Sequence, residues 1–65
     1  SRAAEKLLEY VVGVTIYVKH YGNGIIKQVE KIGMLTVLTI KFDDYENTMR
    51  KVLNLEEMSI VNKTK

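Results

Sequence analysis

From Val14 onward the apolar residues fall on every second position, in short runs closed by glycine or by a polar cluster. That spacing is the period of a strand with one buried face. In the first run Val14, Ile16 and Val18 alternate with Thr15, Tyr17 and Lys19, and β-branched residues dominate. Tyr21-Gly22-Asn23-Gly24 reads as a turn in which Gly22 and Gly24 supply positive φ without a steric penalty. A second run covers Ile25 to Lys31 and breaks its alternation at Ile25-Ile26, the mark of a β-bulge. Lys31-Ile32-Gly33 forms the next turn. Met34 to Phe42 is the longest run, with Leu38, Ile40 and Phe42 on one face and Val37, Thr39 and Lys41 on the other. A polar loop over 43–47 precedes a fourth run from Thr48 to Leu53. Asn54 then caps a single turn through Glu57, and Met58 to Val61 makes a short fifth run.

Connections this tight leave no room for crossover helices, so the strands pair antiparallel. The chain has 65 residues and contains no cysteine, which excludes disulfides and thiolate metal sites. Below about 70–80 residues, a chain without such staples needs an efficient core, a docked partner or both. A small sheet covers its apolar face by curling. The expectation is therefore a mainly β domain, a five-stranded antiparallel, partly open barrel of SH3 or Tudor type over residues 13–61. Ahead of it Ala3, Ala4, Leu7, Leu8, Val11 and Val12 recur at helical spacing, with Ser1 as cap and Gly13 as stop. They predict an N-terminal α-helix over residues 1–12, docked on this domain or linking it to an upstream one. Residues 62–65 make a basic tail. The first residue is Ser1 rather than methionine, as in a piece cut from a longer protein.

The net charge of +2 suggests nucleic acid at first sight. Its distribution weakens that reading. From Gly13 to Val61 six cations face six anions, Arg2 and Lys6 cancel Glu5 and Glu9, and the excess is Lys63 and Lys65. Duplex binders usually cluster their basic residues on a strongly positive domain. No apolar run approaches the roughly 18 residues of a membrane span and no signal-peptide pattern opens the chain, so a cytoplasmic location without membrane contact is expected. A catalytic domain with its own cleft usually needs about 100 residues or more, so no enzyme, cofactor or small-molecule substrate is expected of this chain.

Individual residues agree. Gly22 and Gly24 do not open a helix, as a phosphate-binding loop requires. His20 is the only histidine and lacks partners for a metal site or a catalytic dyad. Asp43-Asp44 and Glu56-Glu57 are neighbours on turns, where adjacent side chains point apart and serve acid–base chemistry poorly. Tyr17, Tyr21, Phe42 and Tyr45 could form an aromatic cage for a methylated cation, although Phe42 falls on the core face. Tyr17, Lys19, Lys27, Lys41, Arg50 and Lys51 are more suggestive. Tyr17, Lys19 and Lys41 lie on solvent faces by period, and exposed Tyr and Arg anchor protein interfaces.

From Gly13 the chain runs G-V-T-I-Y-V-K-H-Y-G-N-G-I-I and, after a hairpin, reaches V-L-T-I-K-F. This resembles the Tudor-like C-terminal domain of UvrD/PcrA-type DNA helicases. Gly13, Ile16, Tyr21, Gly22, Gly24, Ile26 and Phe42 match its frame, and Arg50-Lys51-Val52 and Leu55 to Met58 match its later part. The family's usual His is Val18 here, and its usual Phe or Trp is Tyr21. The RNA-polymerase-binding domain of CarD-type transcription factors is also similar. The resemblance implies a non-catalytic accessory module of a bacterial protein that docks on a protein partner such as RNA polymerase, with a basic residue of the fourth strand, Arg50 or Lys51, in contact. The alternative is sequence-independent nucleic-acid binding through the Lys/Arg face and the tail, or a weak DNA contact beside the protein partner. An exposed sheet edge could also accept a partner strand.

Overall fold

A computed structural model describes residues 6–61 of the chain. It has five strands: β1 (Thr15–Val18), β2 (Gly22–Ile32), β3 (Leu35–Phe42), β4 (Met49–Val52) and β5 (Met58–Ile60). All pairings are antiparallel in one sheet of order β4-β3-β2-β1-β5. The mainly β expectation is met, and each strand lies within a residue or two of an expected run except β2, which starts three residues early.

Alternation delivers the core. Ile16 and Val18 of β1, Ile26 of β2, Leu38, Ile40 and Phe42 of β3 and Met58 of β5 form one buried cluster. Met49 and Ile60, on the two end strands, pack against that same cluster. A sheet whose opposite ends share one core is necessarily curved. Burying an aliphatic or aromatic side chain contributes about 1.5–3 kcal/mol, so these few residues carry most of the domain's stability.

The turns differ from expectation in an informative way. The first is made by Val18 to Tyr21, closed by the Tyr21 N–H donating to the Val18 carbonyl at 2.9 Å. His20, at its third position, has φ of 73°, the conformation a type II turn requires there. Gly22 (φ 88°) already pairs with Val18. Gly24, expected to turn, is extended within β2, between Ile16 of β1 and Phe42 of β3. Glycine is needed there because a Cβ would sit 2.7 Å from Ile40 Cγ2 and 2.9 Å from Phe42 Cδ1. At the far end Lys31 and Ile32 remain paired, and the turn is Gly33-Met34, with φ of 59° at Gly33. Glycine at the first central position is the signature of a two-residue type II′ hairpin. A left-handed residue other than glycine costs roughly 1–2 kcal/mol. His20→Gly should therefore raise stability by about 1 kcal/mol and the melting temperature by about 4–8 °C. An unchanged or lower melting temperature in thermal unfolding would show that the turn is held by the imidazole instead.

The bulge lies between Ile26 and Gln28, one residue beyond the expected site. Ile25 and Ile26 obey the alternation, one exposed and one buried. The extra residue, Lys27, allows Ile26 and Val29 both to face the core although three positions separate them.

The N-terminal helix is the main correction. Residues 1–5 lie outside the described residues, as do the tail residues 62–65. Lys6 and Leu7 are helical and residues 8–9 form the turn that follows, with the Glu9 N–H on the Lys6 carbonyl and the Tyr10 N–H on the Leu7 carbonyl. The helix does not reach Val12, because Gly13 and Val14 are already tied to β2. The Gly13 N–H donates to the Ile26 carbonyl at 2.8 Å, and the Ile26 N–H to the Val14 carbonyl at 3.0 Å. The expected apolar stripe stays out, with Leu8 79% and Val12 61% exposed, while Tyr10 is buried in its place. Burial, aided by the neighbouring Glu9 carboxylate, pushes the Tyr10 phenol above its ordinary pKa.

Candidate docking face

The sheet has an inner face on the core and an outer face toward solvent. On the outer face Ile25 lies between Thr15 and Lys41 on the flanking strands, and Tyr17 lies between Asn23 and Ser59. Tyr17 is 46% exposed and Ile25 38%. Both sit on inner strands, so the backbone beneath them is hydrogen-bonded on both edges. The sequence pattern placed Tyr17 outside correctly. It could not show that Ile25 joins it, because register across strands is set by distant residues.

The cations are less available than their number suggests. Lys41 is half-buried, and its Nζ donates to the Phe42 carbonyl at 2.8 Å and to the Tyr45 carbonyl. It ties down the loop that follows β3. Arg50 reaches from β4 across β3 to Glu30 of β2 in an ion pair of 3.0 Å. That bridge passes over the outer face of β3 beside Val37, which is 8% exposed although it points away from the core. An exposed pair of this kind contributes about 0–1 kcal/mol. Lys51 projects to the opposite face from Arg50 and places its Nζ 3.8 Å from the centre of the Tyr21 ring. Lys19 is exposed at the end of β1, its own N–H held by the Glu57 carbonyl at 2.8 Å. Tyr17, Lys41 and Arg50 thus share the outer face, Lys19 stands at its end, and Lys51 does not belong to it.

Of the aromatic residues Tyr17, Tyr21, Phe42 and Tyr45, three do assemble. Ring centres of Tyr21 and Phe42 are 5.3 Å apart, those of Tyr21 and Tyr45 5.8 Å, and those of Phe42 and Tyr45 5.9 Å. Tyr17 lies on the other side of the sheet. Phe42 is fully buried and the Lys51 ammonium covers Tyr21, so the cluster is packing with an internal cation. Beside it an open groove of about 580 Å³ is bordered by Tyr21, Lys51, Asn54, Glu56 and Glu57. Asn54 Oδ1 accepts the Glu56 N–H at 2.9 Å, the capping expected of it.

His20, Asp43, Asp44, Glu56 and Glu57 are all exposed. Among the described residues no group of three His, Asp or Glu side chains is placed to hold a metal ion. No helix of the described residues is long and apolar enough to cross a membrane. Comparison with protein-family models, with curated proteins and with solved structures gave no match.

Proposed function

We propose that this chain is an interaction module that docks on a protein partner through its outer face, with Tyr17 and Ile25 at the centre and Lys19, Lys41 and Arg50 around them. One observation carries the reading: an exposed tyrosine and an exposed isoleucine lie diagonally across β1 and β2 on the inner strands of the sheet. Tyrosine supplies large contact area at low conformational cost and is enriched among residues that dominate binding. Together with the glycine frame from Gly13 to Gly24, the strand order and shared core support a curled SH3/Tudor-type barrel. The module is then a non-catalytic accessory domain of a UvrD/PcrA-like helicase or a related bacterial protein, acting in the cytoplasm. RNA polymerase is the first partner to test.

Binding of the chain to RNA polymerase is best followed by interferometry at two salt concentrations. Tyr17→Ala should weaken it by more than about 10-fold, whereas raising the salt should change it little. Unaltered affinity in Tyr17→Ala would place the docking face elsewhere, and no binding by the parent chain would remove this partner. Binding to duplex DNA that falls steeply with salt would replace docking by nucleic-acid contact. The internal engagement of Lys41, Arg50 and Lys51 argues against that outcome.

A further inference from the structure

A second exposed apolar surface lies at the other end of the sheet. Seven residues along β2, about 20 Å, separate Ile25 from the hairpin tip at Ile32. Met34 at the tip is fully exposed, and Leu35, Val52, Leu7 and Val11 are each about half exposed, with Leu8 at 79%. They are contiguous. Leu7, Met34, Leu35 and Val52 line one groove, Leu7, Leu8 and Val11 line the next, and Thr36 and Leu53 floor both. Two segments far apart in sequence, the 6–11 turn and the β2–β3 hairpin, therefore build one apolar end.

We infer that this end is the contact between two copies of the chain. Two features favour a second copy over an unlike partner. The six side chains expose on the order of 600 Å² of apolar surface per copy, the upper limit of the patches that single-domain monomers normally leave in water. Paired about a two-fold axis they can cover at most about 1,200 Å², just above the roughly 1,000 Å² needed for a specific interface. The one charged side chain lining these grooves is Lys31, opposite Thr36, and Lys6 and Glu9 border the neighbouring groove, so the charges near the apolar surface are of mixed sign and can meet those of its own copy. Leu35 and Val52 lie on the outer face at its far end from Tyr17, and the inference stands or falls independently of the partner proposed there.

Sedimentation equilibrium of the chain tests it. The weight-average mass should climb from 7.5 kDa toward twice that value with concentration, with a midpoint in the range of about 10–500 µM expected for so small an interface. The melting temperature should rise with concentration in parallel, which binding to an unlike partner would not produce. Met34→Glu and Leu35→Glu alter exposed positions and should leave the circular dichroism spectrum unchanged while holding the mass at 7.5 kDa over the same range. A parent chain that stays at 7.5 kDa up to about 1 mM overturns the inference and leaves the end to another protein. Association that persists undiminished in both glutamate variants overturns it as well, because the contact would then lie elsewhere.

Discussion

Phe42→Ala should remove about 3–5 kcal/mol of the domain's stability, the largest loss expected of any single truncation in the core. Phe42 is fully buried at the end of β3, with Tyr21 stacked on its ring, Tyr45 meeting it edge-on and Gly24 pressed against it. Removing such a ring costs about 3–5 kcal/mol in lost transfer energy and residual cavity. A chain of this length has roughly 3–10 kcal/mol of total stability, so the loss is a large part of the whole. The cavity cannot collapse easily, because β3 is held by β2 on one edge and β4 on the other. Urea titration followed by circular dichroism measures the effect. A loss below about 1 kcal/mol would mean that the aromatic cluster is peripheral and the core lies elsewhere.

The second large effect is expected at Gly24. Replacing a strand glycine with alanine ordinarily stabilises by about 0.4–1 kcal/mol, since the unfolded chain loses freedom. Here the sign should reverse. The new Cβ meets Ile40 Cγ2 at 2.7 Å and the Lys41 carbonyl oxygen at 3.0 Å. Ile40 is fully buried and the carbonyl belongs to an inner strand, so neither can move aside cheaply. Overpacking of this kind costs about 1–3 kcal/mol, and Gly24→Ala should come out destabilising by about 1–2 kcal/mol net. Gly24→Val should cost more still. At Gly33 no atom lies within 4 Å of an added Cβ, and any loss would come from its φ of 59° alone. The two sites are distinguished by size dependence: the penalty grows from Ala to Val at Gly24 through crowding. A neutral Gly24→Ala in denaturant titration would contradict the close approach of β2 and β3.

Much of the candidate docking face was legible in the pattern, and its limits are equally physical. Tyr17 could be placed outside because its neighbours Ile16 and Val18 are apolar and a strand alternates. What Arg50, Lys51 and Lys41 do could not be read that way. A long cationic side chain goes wherever a carboxylate, carbonyl or ring happens to lie within reach, and Glu30, Tyr21 and the 42–45 loop come from other parts of the sheet. The neighbouring pair Arg50-Lys51 illustrates the point, since alternation sends one residue to the outer face and its neighbour to the aromatic cluster. The apolar end escaped notice for the same reason. Met34, Leu7 and Val52 look unremarkable singly, and only the fold brings them together.

By itself the sequence determined that this chain makes five antiparallel strands, which side of β1 and β3 faces the core, and where the polar 43–47 loop falls. Those properties depend on residues one or two positions apart, whose side chains must go to opposite faces. The tertiary structure alone decided that Gly24 spaces two strands where a turn was expected, and that Tyr10 replaces an expected apolar stripe in the core. It also decided that His20 carries the turn. Each of these depends on strand register, and register is fixed by the joint fit of large side chains from distant segments, here Ile16, Ile40 and Phe42 closing around a position that has room only for hydrogen.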